Sequence, residues 1–508
     1  MLALARIERR RLALQQARDR LRTPQQRNRL GQFATPGALA REMLRYAHEL
    51  HGSAAVRFLD PAIGTGAFYA ALLGECPEAK IDAAAGFEID DYYGEPCRRL
   101  WRQTRLRLRL EDFTLAPPPA ADAPRFNLVI CNPPYVRHHH IQAAAKLRLR
   151  QLAMDAAGLR LHGLAGLYAY FIAIAHAWMS EGAVAGWLVP SEFMDVNYGR
   201  ELKQYLLRSV TLLRIHRFDP TEVQFSDALV SSAIVWLRNR KPALDHRVEF
   251  TYGGSLSKPR TRAWLPASQL DTAAKWSRIP QASDRTRDAA APRLGEYFHV
   301  KRGIATGANA FFIMTSAQAA ERGIPRQCLR AILPSPRLLQ SDEVLAAEDG
   351  EPLLTRRLWL LDCRLPEEQI RASYPRLWRY LAAGRDAIGG GYLCSRRAPW
   401  YSQEAREPTP FLCTYMARRR RGGAQRFIFN CSNAIGANTY LMLYPREALL
   451  RFIDGDLARA RRVWQVLADI DTQAMVAAGR VYGGGMYKLE PGELTGIPTP
   501  GIAALLAG

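Results

Sequence analysis

The sequence predicts an α/β chain built on a mainly parallel sheet, followed by a second region of mixed α/β character. Three observations carry this. Between residues 31 and 240, short apolar runs such as VRFLD (56–60), AAAGFEI (83–89), FNLVICN (126–132) and VAGWLVP (184–190) alternate with helical stretches. Strands joined through helices run parallel and bind ligands at their carboxyl edge. The first run leads straight into a glycine-containing turn, AIGTGAF (62–68). Finally, 508 residues exceed one ordinary domain and suit two or three.

Taken in order, residues 1–30 are expected to form a basic amphipathic helix, with Leu4, Ile7, Leu14 and Leu21 near helical spacing. Residues 31–240 form the first domain, in which PPPAADAP (117–124) separates two strand–helix units. Residues 241–294, with SLSKPRTR and PQASDRTRDAAAPR, read as an exposed connector. Residues 295–508 form the second domain, carrying many arginines, several Trp and Tyr, and glycine turns such as GRVYGGGMYK.

Composition narrows the class. Hydrophobic residues at 48% and charged residues at 23% are the balance of a soluble globular protein. No apolar run is long enough to span a bilayer, so no membrane partner is expected. The N-terminus lacks an apolar core before a cleavage site, so no signal peptide is expected. A formal net charge of +22 and a pI of about 10.0, mostly from arginine, point to nucleic acid. An arginine-rich genome whose proteins drift basic is the alternative. The eight cysteines form no CxxC pair, which argues against structural zinc and disulfides and fits a reducing cytoplasm. His138, His139 and His140 are adjacent, and three neighbouring side chains do not converge easily on one ion; no metal site is expected.

Four segments carry chemistry. In FLDPAIGTGAF (58–68), Asp60 ends a strand, and Gly64 and Gly66 let the backbone approach a ligand at a helix N-terminus. Asp60 is placed to take a cofactor's amino group. In AGFEID (85–90), Glu88 falls where a strand-end carboxylate reaches the ribose hydroxyls of an adenosine-containing cofactor. In LEDFT (110–114), Asp112 can accept from the cofactor adenine's amino group, and Phe113 can pack on its ring. Plain turns and ordinary strand-end carboxylates are the alternatives for each alone; their order and spacing favour a cofactor site.

The fourth segment is ICNPPY (130–135), closing an apolar strand. An exocyclic amino nitrogen on a base is a poor nucleophile, because its lone pair is delocalised into the ring. The Asn132 amide oxygen and the Pro133 carbonyl can accept both amino hydrogens and stabilise the charge that builds on nitrogen. Pro133 and Pro134 stiffen the loop and remove competing donors. Tyr135 offers a flat face for a base. Cys131 stands beside Asn132, but this loop lacks the Pro-Cys pair of cytosine-C5 enzymes, and Cys131 is expected to be a small core residue.

With these residues in view, the chain resembles the amino-group DNA methyltransferases, and among them the adenine-N6 enzymes whose cofactor region precedes the catalytic tetrapeptide. GQFATP (31–36) looks like the opening motif, in which Thr35 contacts the methionine part of the cofactor. DPAIGTGAF, GFEID, EDF and NPPY match the following motifs in order, and residues 167–194 look like the helix and strand after the catalytic loop. VQF (223–225) looks like the second aromatic position, so that Phe225 stacks on the extruded adenine opposite Tyr135. KRGIATGANAFF (301–312), WYSQEAR (400–406) and GRVYGGGMYKLEP (479–491) look like segments of type II modification enzymes, of the PstI/BsuBI type in particular.

The resemblance implies a Rossmann-like domain binding S-adenosyl-L-methionine and a C-terminal DNA-recognition domain. It further implies a cytoplasmic monomer that flips an adenine out of double-stranded DNA and methylates it by direct transfer. A separate cognate endonuclease acting on the same site is a further expected partner. The Arg418–Arg421 run is expected to track phosphates. Cytosine-N4 transfer stays open. Protein or ribosomal-RNA methyltransferases share NPPY but lack a large basic C-terminal domain. A nuclease or a silent DNA-binding protein is disfavoured by the intact tetrapeptide and the lack of a PD…(D/E)xK arrangement.

Overall fold

The computed structural model describes residues 2–507 apart from 24–25, 28–29, 53, 220–230, 280–290, 419–424 and 483–485. The chain divides near residue 284 into two compact units.

The first unit is built on one nine-stranded sheet, in the order β3-β2-β1-β4-β5-β7-β6-β8-β9. Its strands are β1 (Val56–Asp60), β2 (Ile81–Phe87), β3 (Leu106–Arg109), β4 (Phe126–Cys131), β5 (Met179–Pro190), β6 (Thr211–Arg217), β7 (Ser232–Arg238), β8 (Arg247–Gly254) and β9 (Pro259–Pro266). β1 pairs in parallel with both β2 and β4, and β4 with β5, while β7 enters antiparallel between β5 and β6. The strand order reverses between β1 and β4, the position where open sheets of this kind leave a crevice at their carboxyl ends.

The helices of this unit are α1 (Leu2–Arg20), α2 (Gly37–His51), α3 (Ala67–Glu75), α4 (Asp91–Trp101), α5 (Ala143–Ala157), α6 (Leu167–Ala175) and α7 (Arg200–Arg208). Side chains alternate between the two faces of the sheet, and the central strands are covered on both. Phe58, Leu128 and Ile130 join one buried cluster with α2 and α3. Leu59, Val129 and Cys131 join the other with α5 and α6. Cys131 is fully buried, as its small size beside the tetrapeptide suggested.

Two expectations are corrected. The stretch 241–294 is not only a connector: it supplies β8 and β9, which extend the sheet. Val248 and Phe250 are buried against it, whereas half of the residues of β9 are exposed and none is buried, so this edge strand has no apolar alternation to reveal it. The N-terminal helix does form, but its docking is mostly polar, with Ile7 packing against the core cluster of the first unit. Ile7 and Leu14 are half-buried and Leu21 is 77% exposed, whereas Arg11 is 1% exposed.

The second unit is a separate mixed α/β body. A five-stranded sheet contains Phe298–Arg302, Tyr440–Pro445, Phe411–Thr414, Phe427–Asn430 and Glu343–Val344, with only the last pair parallel. A three-stranded antiparallel sheet contains Ile313–Thr315, Leu358–Leu361 and Leu329–Ile332. The helix Leu457–Ala468 covers the larger sheet through Val463 and Leu467. Arg419, Arg420 and Arg421 of the basic run lie outside the described residues. Among the described residues no helix is long and apolar enough to cross a membrane.

Candidate active site

The carboxyl ends of β1, β2 and β4 open onto a cavity of about 680 Å³, lined among others by Gly64, Glu88, Asp112, Phe113 and Asn132. Residues read from four separate sequence segments therefore meet at one place.

Its floor is the turn after β1. Gly64 and Gly66 have φ of 56° and 90°, left-handed values that a side chain resists. A Cβ on Gly66 would also lie 2.5 Å from Trp101 Nε1, which donates to the Thr65 carbonyl at 3.0 Å. Glu88, one residue past β2, accepts from the Gly64 N–H at 3.0 Å and the Asp90 N–H at 2.9 Å. Burial, opposed by those two bonds, pushes its carboxyl up to about 7.

Asp60 is 1% exposed and is not among the cavity-lining residues. It accepts from the Ala62 N–H at 3.1 Å. Burial raises its carboxyl to about 7, with the Ala62 and Cys131 hydrogen bonds opposing. Where the sequence suggested a carboxylate facing the cofactor, the structure has one enclosed beneath the turn, its donors supplied by the protein.

Asp112 lies three residues past β3 and caps a short 3-10 turn, accepting from the Thr114 N–H at 2.9 Å and its hydroxyl at 2.8 Å. Phe113 reaches the cavity from an aromatic cluster, 5.2 Å from Phe87 and 5.4 Å from Trp178 between ring centroids.

Asn132 is held by the segment before α2. Its Nδ2 donates to the Phe33 carbonyl at 2.9 Å and to the Thr35 hydroxyl at 3.2 Å. Its Oδ1 is buried and takes no hydrogen bond among the described residues, an arrangement that normally costs about 1–3 kcal/mol. An acceptor fixed in this way, on the wall of a cavity, suits an incoming N–H donor.

Pro134 lines the cavity, but Pro133 and Tyr135 do not. Tyr135 is 8% exposed. Its hydroxyl donates to the Leu188 carbonyl at 3.1 Å, and its ring lies 5.5 Å from that of Phe33, which does face the cavity. Thr35 stands behind Asn132 and off the cavity wall. Phe225 lies outside the described residues. His138–His140 form a 3-10 turn with no buried ring, and among the described residues no cluster of three or more His, Cys, Asp or Glu could hold a metal.

Sequence reading missed the contributions of α1 and of the loop after it. Gln15, Asp19, Gln32 and Phe33 all line the cavity. The signal was present as polar residues at helical spacing (Arg11, Gln15, Arg18, Asp19 and Arg22), the inverse of an apolar stripe.

Residues 92–224 match the model of the Eco57I restriction-modification methylase family, and residues 278–507 match that of the C-terminal domain of type II methyltransferase M.Eco57I. Type II methyltransferase M.XamI of Xanthomonas campestris pv. amaranthicola is 31% identical over 495 residues, covering 94% of this chain and 86% of that one. This chain belongs to the type II methyltransferases. Type II methyltransferase M.AccI of Acinetobacter calcoaceticus is 26% identical over 92% of the chain and 85% of its own length. Type II methyltransferase M.BsuBI of Bacillus subtilis, of the narrower type named from the sequence, is 29% identical over 21% of the chain. The fold is that of the type IIL restriction-modification enzyme MmeI in its complex with DNA, with a TM-score of 0.53 and 12% identity. This likeness covers 91% of the chain and 63% of the MmeI chain.

As a type II methyltransferase, the protein methylates DNA within restriction-modification and draws the methyl group from S-adenosylmethionine. The cavity fits that cofactor: a glycine turn and a half-buried strand-end carboxylate lie at one end, and an acceptor with no partner among the described residues at the other.

Proposed function

We propose that this methyltransferase modifies the exocyclic N6 of an adenine in a defined double-stranded DNA sequence, after rotating the base out of the helix. It acts as a monomer in the cytoplasm, as the modification partner of a separate endonuclease cutting the same sequence. The observation that carries the reading is the Asn132 amide, whose Nδ2 is committed to Phe33 and Thr35 while Oδ1 is left free.

Asn132 Oδ1 and the Pro133 carbonyl accept the two amino hydrogens and favour the charge that develops on nitrogen. Glu88 holds the cofactor's ribose hydroxyls, Asp112 its adenine amino group and Phe113 its ring, while Thr35, placed by the family pattern at the methionine end, fixes Asn132 from behind. Gly64 and Gly66 shape the turn, and Asp60 supports it from below through Ala62. When bound, S-adenosylmethionine supplies an electrophilic methyl group on a sulfonium. Tyr135, with Phe33 packed on it, and Phe225 hold the base from its two faces.

The test is product identity. Purified enzyme, S-adenosylmethionine and DNA, followed by nucleoside digestion and mass spectrometry, are expected to give N6-methyladenine. N4-methylcytosine in its place overturns the choice of base.

Two further outcomes are expected. Phe225→Ala slows methylation about tenfold, since one stacking contact is worth roughly 1–3 kcal/mol, and Phe225→Trp retains more activity than Ala. Rates and thermal melts taken together check this; a lowered melt with an unchanged rate assigns Phe225 to packing. DNA affinity falls at least about tenfold between 50 and 200 mM salt, the loss from only two neutralised phosphates. A flat salt profile in a DNA-binding titration makes the +22 charge a matter of genome composition.

A further inference from the structure

Apart from Ile7, which packs on the core, α1 docks on the first unit mainly through polar side chains. Arg11 grips Glu8 with two bonds, at 2.7 and 2.8 Å, and donates to the Thr65 hydroxyl at 3.1 Å. That hydroxyl in turn donates to Gln15 Oε1 at 2.7 Å. Asp19 accepts from Gln15 Nε2 at 2.9 Å and from the Tyr93 hydroxyl at 2.8 Å. Just past the helix, Arg22 pairs with Asp90 at 2.5 Å, and Gln32 donates to the same carboxylate at 2.7 Å.

These contacts have a pattern. Glu88 takes its two backbone hydrogen bonds from Gly64 and Asp90. The N-terminal segment holds Thr65, the neighbour of Gly64, at one end and Asp90 itself at the other. Both donors to the half-buried carboxylate are thus braced from outside the sheet, Gly64 through its neighbour Thr65 by α1 and Asp90 by Arg22 and Gln32 in the segment that follows α1. Most of the stability of a helix in a protein comes from its tertiary contacts, and here these are mainly hydrogen bonds to charged groups, each contributing about 1.5–3 kcal/mol. A helix docked in this way responds to what occupies the cavity beside it.

We propose that α1 is a polar lock on the cofactor cavity. Arg11 and Gln15 are positioning residues that act on the glycine turn through the Thr65 hydroxyl, and helix docking and cofactor binding strengthen each other. This rests on reading the cavity as the S-adenosylmethionine site. Linkage requires the coupling to run both ways: loosening the helix weakens cofactor binding, and bound cofactor protects the helix.

The test uses the full chain. Gln15→Ala and Thr65→Val are expected to raise the Kd for S-adenosylmethionine about tenfold by calorimetry, the equivalent of roughly one lost charge-assisted hydrogen bond. Thr65→Ser keeps the hydroxyl and stays within about twofold of wild type on the same reasoning. KM for the cofactor rises while kcat at saturation holds, which a general loss of folded protein does not produce. Amide hydrogen exchange across residues 5–20 of the wild type slows when S-adenosylhomocysteine saturates the protein. Unchanged exchange together with wild-type affinity in both Gln15→Ala and Thr65→Val overturns the lock. Glu88→Ala is the separating control. If it binds as wild type, the cavity assignment fails and the lock with it; if it loses binding while the α1 contacts prove silent, only the lock fails.

Discussion

Asn132→Ala is expected to slow methyl transfer about 10²–10³-fold, the usual cost of removing one preorganised group from a developing charge, while S-adenosylmethionine still binds. The base's amino nitrogen becomes a nucleophile only as its hydrogens are drawn toward acceptors. Asn132 offers such an acceptor without rearrangement, because Phe33 and Thr35 already fix its Nδ2 and leave Oδ1 free on the cavity wall. Alanine removes the acceptor and also frees the Phe33 carbonyl. Asn132→Asp keeps the size but gives up both donated bonds and places a charge against that carbonyl, so it is expected to be nearly as slow. Single-turnover transfer of a labelled methyl group, with calorimetry for the cofactor, separates rate from binding. Turnover near the wild-type rate in Asn132→Ala removes the residue from the chemistry.

The parts of this site that could be read from sequence are those that end strands. VRFLD and FNLVICN stop at a polar residue and AAAGFEI carries one next to its end, and topology then brings Asp60, Glu88 and Asn132 to one edge of the sheet. Strand order needs only parallel crossovers and their handedness, which alternation announces. Which way a polar side chain faces is a different matter. Asp60 and Glu88 look alike in sequence, yet Asp60 is enclosed under the turn while Glu88 lines the cavity, because Asp60 pairs with Gly86 inside the sheet whereas Glu88, two residues further on, lies past the end of β2. Tyr135 could stack or pack; its hydroxyl finds the Leu188 carbonyl and the ring is buried. Apolar periodicity does not announce α1 as part of the site, because the face it docks is mostly polar. Nor does it announce β9, because an exposed edge strand needs no apolar alternation.

Glu88→Ala is expected to weaken S-adenosylmethionine binding about 100-fold, the loss of two charge-assisted bonds at roughly 1.5 kcal/mol each. The carboxylate that makes them is held back by burial. Glu88 and Asp60 are each raised to about 7, so near neutral pH both are substantially protonated in the free protein. In this window the native state binds more protons than the unfolded chain. Stability of the free protein therefore falls as pH rises from about 4, the ordinary carboxyl range, through about 7. Cofactor binding runs the other way. Ribose hydroxyls need an acceptor and the sulfonium favours nearby negative charge, so the ionised forms bind better and binding expels protons. Affinity is expected to rise between about pH 6 and pH 8, by up to about tenfold for each pH unit that one carboxyl spends mostly protonated. Calorimetry at pH 7 in two buffers of different ionisation enthalpy measures the released protons directly. Glu88→Gln keeps the shape of the side chain but cannot ionise; it is expected to bind weakly at all pH values and to release fewer protons, with Asp60 supplying what remains. Proton release that is zero in the wild type, or identical in Glu88→Gln, excludes the Glu88 carboxylate as the group that meets the cofactor.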